Sequence, residues 1–143
     1  MDQEHYRKLE SMYASAPINA FYAPVMVVSK ERAEISCEVS PKHHHSAGAM
    51  HGSVYFKMLD DAAFFAVNSL VDDVFVLTTN FNIYLTRPVV SGKIMAIGKV
   101  LNQSKQLFIA ESILFDEQNR EVGRGSGSFM RSKIKLSPDV GYQ

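Results

Sequence analysis

The chain has 143 residues, of which 46% are hydrophobic, and its 15 Lys and Arg residues are balanced by 15 Asp and Glu residues. This length permits one sizeable hydrophobic core, so we expect a single globular domain over residues 1–143. A chain with no net charge and no run of Lys or Arg is not typical of proteins that bind nucleic acid or anionic membranes. No apolar stretch approaches the ~20 residues that span a bilayer, so no membrane partner is expected.

The lone cysteine, Cys37, excludes an internal disulfide and fits a reducing compartment. The sequence also opens without the cationic and apolar regions of a secretion signal, and we therefore expect a cytoplasmic protein. Residues 86–143 carry nine basic and five acidic residues, so this part is mildly basic. Two explanations of this excess stay open: an ordinary uneven distribution of charge, and a surface that binds an anionic ligand.

Hydrophobic patterning predicts a short amphipathic helix followed by a strand. Over residues 2–15 the apolar positions recur at three- and four-residue spacing until a proline ends the pattern: Tyr6, Leu9, Tyr13 and Pro17. Over residues 25–39 the pattern changes to alternation of apolar and polar residues, which predicts one half-buried strand.

A long helix is predicted from Gly52 to about Leu70, after a polar loop over residues 40–49. Its sequence is apolar almost all round, which is typical of a helix enclosed by other structure. Four strands follow, and short polar connections make the last three an antiparallel meander. Their expected ranges are 74–86, 93–101, 107–115 and 121–131. This order of elements predicts an α+β fold in which one sheet wraps around a buried helix.

Two adjacent carboxylates, Asp60 and Asp61, lie inside the predicted long helix. Neighbouring helical residues project about 100° apart, so at most one of them can face a given pocket. Asp61 follows Lys57 by four residues, a spacing that favours an ion pair. Asp60 shares its helical face with Ser53 and Phe56 and is therefore the candidate reactive group. A solvated or interface carboxylate is the alternative that the sequence leaves open.

Gly52 stands where the long helix begins. The first backbone N–H groups of a helix lack internal acceptors and carry the positive end of the dipole, so they can hold a developing oxyanion. An unusual turn is the other explanation for a glycine here. At ~1.5 Å per residue, Gly52 and Asp60 lie roughly 12 Å apart along the axis, too far to act on one carbonyl carbon. If both serve one reaction they come from different subunits, which predicts a two-fold homodimer.

The segment His51-Gly52-Ser53 followed by Asp60 resembles the hotdog-fold acyl-CoA thioesterases of the phenylacetyl-CoA thioesterase type. In that family the helix opens with His-Gly-Gly and carries a catalytic Asp nine positions after the His. The resemblance extends through the strand at residues 78–85 and the closing meander, and it covers most of the chain. It implies a hotdog fold, in which an antiparallel sheet wraps around one long central helix.

The resemblance also implies roles for individual residues. The Gly52 N–H would polarise the thioester carbonyl, and Asp60 of the partner subunit would act as general base on water or as nucleophile. His51 would shape the start of the helix. Thr78 occupies the place of a hydroxyl that orients the water in some relatives, although a β-branched residue is also ordinary in a strand.

Two positions depart from the family pattern. Ser53 replaces the second glycine, and we expect this change to alter how closely the substrate approaches the helix. Six residues before the motif histidine, many relatives carry an Asn that contacts the thioester or the water, whereas this chain has His45. A neutral His45 can donate one hydrogen bond, and its protonation would make that contribution pH-dependent.

Several cations are candidates for contacts with the phosphates of coenzyme A, although each is also compatible with an ordinary surface charge. They are Arg87, Lys99, Arg124 and Arg131, and Ser53 is a further candidate contact. The four histidines at 43–45 and 51 lack the spacing of a metal site, so no metal is expected. Glycines alternate at 123, 125 and 127, which predicts either close packing or a slot for an acyl or pantetheine chain.

These features predict hydrolysis of an acyl-CoA thioester to a free acid and CoA by a homodimer, or by a homotetramer built as a dimer of dimers. Coenzyme A enters as part of the substrate, and no separate cofactor is expected. Two other functions stay open, namely acyl-CoA binding or sensing without catalysis and dehydration of 3-hydroxyacyl thioesters. The acyl group is not assigned, because the aromatic residues around the helix are equally suited to the core.

Overall fold

One long helix packs against a six-stranded antiparallel sheet in the computed structural model, which describes residues 3–143. The helices are α1 (Gln3–Ser15), α2 (Asn19–Tyr22) and α3 (Gly52–Asn68), with 3-10 turns at Pro41–His43 and Pro138–Val140. The strands are β1 (Val25–Ser29), β2 (Arg32–Val39), β3 (Val74–Leu85), β4 (Gly92–Gln103), β5 (Leu107–Phe115) and β6 (Glu121–Lys135). Their order across the sheet is β1-β2-β4-β5-β6-β3. None of the helices within the described range is long and apolar enough to cross a membrane.

The predicted α+β architecture and the antiparallel meander of β4, β5 and β6 are confirmed. Helix α1 is confirmed as well, because its three periodic apolar residues are buried. The prediction began this helix at Asp2, which lies outside the described residues. The α3 helix begins at Gly52 as expected and ends two residues before the predicted Leu70.

The prediction of one strand over residues 25–39 is wrong, because this segment forms the hairpin of β1 and β2. Ser29 pairs with Arg32, so the turn consists of Lys30 and Glu31 alone. Glu31 adopts the left-handed conformation, with φ of 61°. Tight hairpin turns usually place Gly, Asn or Asp at such a position, and this turn contains none of them. The usual sequence signal for a break was therefore missing.

The enclosed face of α3 determines where the core lies. Met58, Leu59, Ala62 and Ala63 are fully buried between the helix and the sheet. A polar contact reinforces this packing, because the buried Ser112 of β5 donates its hydroxyl to the Leu59 carbonyl at 2.7 Å. The helix is thereby held to the sheet one residue before Asp60.

The glycines of the sheet allow close approach of neighbouring groups. A Cβ at Gly98 of β4 would lie 2.2 Å from the Ala62 carbonyl oxygen, so only glycine lets α3 and β4 pack this closely. In β6, added Cβ atoms at Gly125 and Gly127 would meet the Phe81 side chain and the β3 backbone. Close packing therefore accounts for these alternating glycines.

The two edges of the sheet differ. Along β1, Arg7 of α1 donates to the Val28 carbonyl at 2.9 Å, and Glu10 accepts from the Val28 N–H at 2.8 Å. Arg7 and Glu10 are themselves joined by an ion pair of 2.7 Å. Strand β3 forms the other edge, and no strand in the described part of the chain pairs with its outer side.

We expect Gly98→Ala to destabilise the fold, because the new methyl group would force α3 away from β4. Overpacking of this kind typically lowers the free energy of unfolding by about 1–3 kcal/mol, which urea denaturation measures. Lys99→Ala is the matched control, since position 99 faces away from α3. Equal stability of the two variants would contradict this account of the helix–sheet contact.

Candidate active site

Asp60 lies on α3 where the helix faces β3. The Thr78 hydroxyl of β3 donates to Asp60 Oδ1 at 2.9 Å. Burial raises the pKa of Asp60 from 3.8 to about 6, against the opposing effect of the hydrogen bond from Thr78. The neighbouring Asp61 raises this pKa further, while Lys57 lowers it. The site thus contains a carboxylate whose ionised form is destabilised and whose orientation is held by a hydroxyl.

Asp61 has a different environment from Asp60. Its Oδ2 accepts from the Tyr13 hydroxyl at 2.7 Å and from Lys57 Nζ at 2.6 Å. The Lys57 side chain is only 12% exposed, and its Nζ lies 5.2 Å and 5.1 Å from the ring centres of Tyr13 and Tyr22. The expected ion pair of Lys57 with Asp61 is present, and it leaves Asp60 as the carboxylate without an ion pair in the described structure.

Tyr13 takes part in the site although the sequence pattern indicated only a core residue. Burial, followed by the charge of Asp61, raises the pKa of Tyr13, so its hydroxyl stays protonated and acts as a donor. The contact joins residues 48 positions apart in the sequence. Residue spacing cannot predict a contact between such distant positions. The sequence offers only the hydroxyl of a tyrosine on an amphipathic helix, which needs a hydrogen-bond partner when it is buried.

Asp60 and Thr78 line a cleft of about 570 Å³, which we call the Asp60 cleft. Asp61 lines it as well, so the expectation that at most one of the two carboxylates faces a given pocket is wrong. Its apolar walls come from helices α1 and α3 and from strand β3. They are formed mainly by Met12, Phe64, Phe65, Phe75 and Leu77. Residues 15–19 and 139–141 close one side of it. A cleft of this size that combines aromatic walls with a carboxylate is suited to a small organic ligand.

The start of α3 is organised by His51. Its Nδ1 accepts from the Ser53 N–H at 3.0 Å, so the ring caps the helix. The same nitrogen lies 2.8 Å from the Ser53 hydroxyl. The Gly52 N–H donates to no group among residues 3–143 and remains available to a ligand.

Gly52 lines a second cleft of about 300 Å³, the Gly52 cleft, together with His45, Tyr55, Leu85 and Arg87. His45 is exposed, and its Nδ1 accepts from the Ala47 N–H at 3.0 Å. Arg87 forms no ion pair with any described residue. The Gly52 cleft therefore combines a free N–H, an imidazole and a free guanidinium.

The two clefts share no residue. Asp60 and Thr78 line one of them, whereas Gly52, His45 and Arg87 line the other. A single subunit thus keeps the carboxylate apart from the helix N-terminus, as the predicted separation of roughly 12 Å along the axis requires.

The other predicted cations lie away from both clefts. Lys99 and Arg124 belong to the sheet face opposite α3, because the adjacent Gly98 and Gly123 face the helix. Lys99 is 3.5 Å from a Glu111 carboxylate oxygen, and Arg124 pairs with Glu121 at 2.7 Å. Arg131 pairs with Asp73 at 3.0 Å. Within residues 3–143 no group of three or more His, Cys, Asp or Glu side chains is placed to hold a metal ion.

Comparison with known proteins places this site in a family. The sequence model of the thioesterase superfamily matches residues 47–123. This range includes α3, with the Gly52 N–H and the Asp60 carboxylate. The chain belongs to the thioesterase superfamily. Membership in this superfamily supports thioester hydrolysis as the general chemistry of the chain. A comparison with curated protein sequences gives no significant match.

Solved structures share the fold of this superfamily member. The PaaI protein from the phenylacetic acid degradation operon of Escherichia coli superposes with a TM-score of 0.85 at 18% identity, covering 94% of this chain and 97% of that one. A thioesterase from Haemophilus influenzae has a TM-score of 0.77 at 16% identity, with 84% and 85% covered. A thioesterase from Pseudomonas aeruginosa has a TM-score of 0.78 at 16% identity, with 90% and 94% covered. The hotdog fold is thus confirmed.

In this thioesterase-superfamily protein, Asp60→Asn should stabilise the fold above pH 6. Because the folded pKa of Asp60 is about 6 and its ordinary value is 3.8, the ionised carboxylate costs stability, and that cost disappears as the pH falls between these values. After a discount for partial exposure, we expect a gain of about 1–2 kcal/mol at about pH 7.5 that shrinks toward about pH 4.

Urea denaturation across this pH range measures the effect. Asp61→Asn is the matched control, and it should lose stability near neutral pH because it breaks the contacts with Lys57 and Tyr13. The same pH dependence in both variants would show that the environments of the two carboxylates do not differ as described.

Proposed function

We propose that this protein hydrolyses acyl-CoA thioesters to a free acid and CoA at a site shared by two subunits. The observation that carries the proposal is the half-buried carboxylate of Asp60, which is held by Thr78 in an apolar cleft and has a pKa of about 6. Such a group is mostly ionised at neutral pH yet basic enough to accept a proton, which is the requirement for a general base.

The reaction needs an oxygen nucleophile and a stabilised oxyanion. Asp60 either removes a proton from water as the water oxygen attacks the carbonyl carbon, or attacks that carbon itself before water releases the acid. The C–S bond then breaks, and CoA leaves with its thiol protonated. The Gly52 N–H donates to the carbonyl oxygen as it becomes negative, and one such donor is typically worth ~10² to 10³ in rate.

Charge assigns the two ends of the substrate to the two clefts. The Asp60 cleft is lined by Asp60, Asp61 and Asp139 against the single ammonium of Lys57, so it repels the phosphates of CoA. The Gly52 cleft instead contains Arg87 without an acidic partner in the described chain. The acyl group therefore enters the Asp60 cleft, and the CoA portion extends along the Gly52 cleft.

A two-fold dimer brings the Gly52 cleft of one subunit to the Asp60 cleft of its partner. Strand β3 is suited to form this interface, because its outer edge is unpaired in the described chain and exposed apolar side chains surround it. These are Phe56, Leu77, Tyr84 and Leu85. The β1 edge is already occupied by Arg7 and Glu10, so β3 is the edge left for a second copy.

Asp60→Ala should lower kcat/KM for thioester hydrolysis by at least ~10², because it removes the proton acceptor or nucleophile. Free-thiol release from a panel of aryl, short-chain and medium-chain acyl-CoAs measures it, with Asp61→Asn as the control that keeps Asp60. In the wild type, kcat/KM should rise about tenfold per pH unit up to about pH 6 and then level off, because only the ionised carboxylate reacts.

A His45→Asn variant should keep this pH limb, because the limb is assigned to Asp60. Equal loss of activity in the Asp60 and Asp61 variants would overturn the assigned roles. Saturable acyl-CoA binding without turnover would instead indicate a sensor, and hydration of a trans-2-enoyl-CoA would indicate a dehydratase.

Complementation between two inactive variants should restore activity if the site is shared. Gly52→Pro removes the N–H at the first helical position, where proline is tolerated, and the extended His51 before it is compatible with proline. Random co-assembly with Asp60→Ala gives mixed dimers with one intact site, so about a quarter of wild-type activity should return.

Gly52→Ala is the steric control for this experiment, because a Cβ at this position would lie 3.5 Å from Leu85 in ordinary contact. It keeps the N–H and should keep activity. No recovery on mixing, or a monomer by light scattering at micromolar concentration, would contradict the shared site.

A further inference from the structure

One part of the lining of the Asp60 cleft comes from segments near the two ends of the chain. Residues 15–19, which connect α1 to α2, and residues 139–141, near the C-terminus, line the cleft together with α3 and β3. The thioesterase superfamily model matches residues 47–123 and includes neither segment. We call these two segments the terminal wall.

The two segments of the terminal wall are packed directly on each other. Gly141 has φ of 88° and lies so close to α1 that an added Cβ would be 2.3 Å from Ser15 Oγ and 3.4 Å from Met12 Cα. The next residue, Tyr142, brings its hydroxyl to 2.7 Å from His5 Nδ1. The C-terminal segment is therefore attached to α1 along most of the helix.

A polar network attaches the terminal wall to α3 beside the catalytic carboxylate. Tyr13 of α1 donates to Asp61, and Asp61 also accepts from Lys57, both one helical turn or less from Asp60. The Asn19 side chain links the wall to this network, because its Nδ2 donates to the Tyr13 carbonyl at 2.7 Å. The position of the wall is thus fixed relative to the reacting group.

Resting on the proposed function, we propose that the terminal wall limits the length of the acyl group and that Ala16 and Ile18 are its specificity-determining residues. With its carbonyl carbon at Asp60, an acyl chain extends past the aromatic side chains of α3 and β3 toward residues 16–18. The apolar walls of the cleft favour a hydrocarbon chain, and its three carboxylates against one ammonium disfavour a chain that carries a negative charge.

Two substitutions in the wall should move the length limit in opposite directions. Ala16→Leu adds three carbons to the terminal wall and should favour shorter acyl groups. Ile18→Ala removes side chain from the same wall and should favour longer ones, at little cost to folding because Ile18 is 59% exposed. One methylene of misfit in an apolar pocket changes kcat/KM by about tenfold or more.

The experiment measures kcat/KM for straight-chain acyl-CoAs from acetyl-CoA to dodecanoyl-CoA, as the ratio of each chain length to butyryl-CoA. We expect the longest accepted chain to lose about tenfold or more in this ratio in Ala16→Leu and to gain in Ile18→Ala. Ala20→Leu is the matched control, because Ala20 is exposed and does not line the cleft. Ratios that stay the same in both wall variants, or that change equally in the control, would overturn the proposal.

Tyr13→Phe tests the network as a positioning device, since it keeps the ring and removes the hydroxyl. We expect this variant to accept a broader range of acyl lengths, with the change mainly in KM for the longer acyl-CoAs. A purely structural role would lower stability without changing the dependence of kcat/KM on chain length.

Binding separates failure of this inference from failure of the proposed function. Calorimetric titration of Asp60→Asn with the same acyl-CoAs measures length selection without turnover. A shifted binding profile in the wall variants would support the length limit even if the wild type proved inactive. Turnover in the wild type with unshifted binding would overturn it while leaving the hydrolase intact.

Discussion

The rotation of α3 within its sheet is the constraint on which the site depends. Successive helical residues point about 100° apart, so a shift by one residue would replace Asp60 with Asp61 against Thr78. Three contacts oppose such a shift: the close approach of Ala62 to Gly98, the Ser112 hydrogen bond to the Leu59 carbonyl, and the hydrogen bond from Tyr13 of α1 to Asp61. The packing of α3 thereby selects which carboxylate accepts the hydrogen bond from Thr78.

The adjacent carboxylates show how one helix can provide two electrostatic environments. Asp61 is surrounded by donors and contributes to the attachment of α1, whereas Asp60 has a single neutral donor and a raised pKa. Withdrawing the Asp60 carboxylate from water without a paired cation costs stability, and such a cost is typical of functional residues. Because the ammonium of Lys57 is paired with Asp61, Asp60 keeps the basicity that the proposed chemistry uses.

The sequence predicted the parts that depend on local pattern. The start of α3 at Gly52 and the Asp61–Lys57 pair follow from helix periodicity. The family resemblance pointed to Thr78 only as a hydroxyl near the water, and its hydrogen bond to Asp60 was not predicted. The β1–β2 turn was missed because Glu31 adopts a left-handed conformation without the usual residue type. The terminal wall could not be predicted, because the packing of Gly141 on α1 joins opposite ends of the chain. The catalytic roles themselves stay predictions.

The occupied edge of β1 has a consequence for how many copies can join through their sheets. A sheet with two open edges can add copies at both ends and grow without limit, as fibres do. Here Arg7 and Glu10 of α1 bind the outward-facing backbone groups of Val28, in the place where another strand would bind. Growth by strand addition must therefore stop after a single pairing.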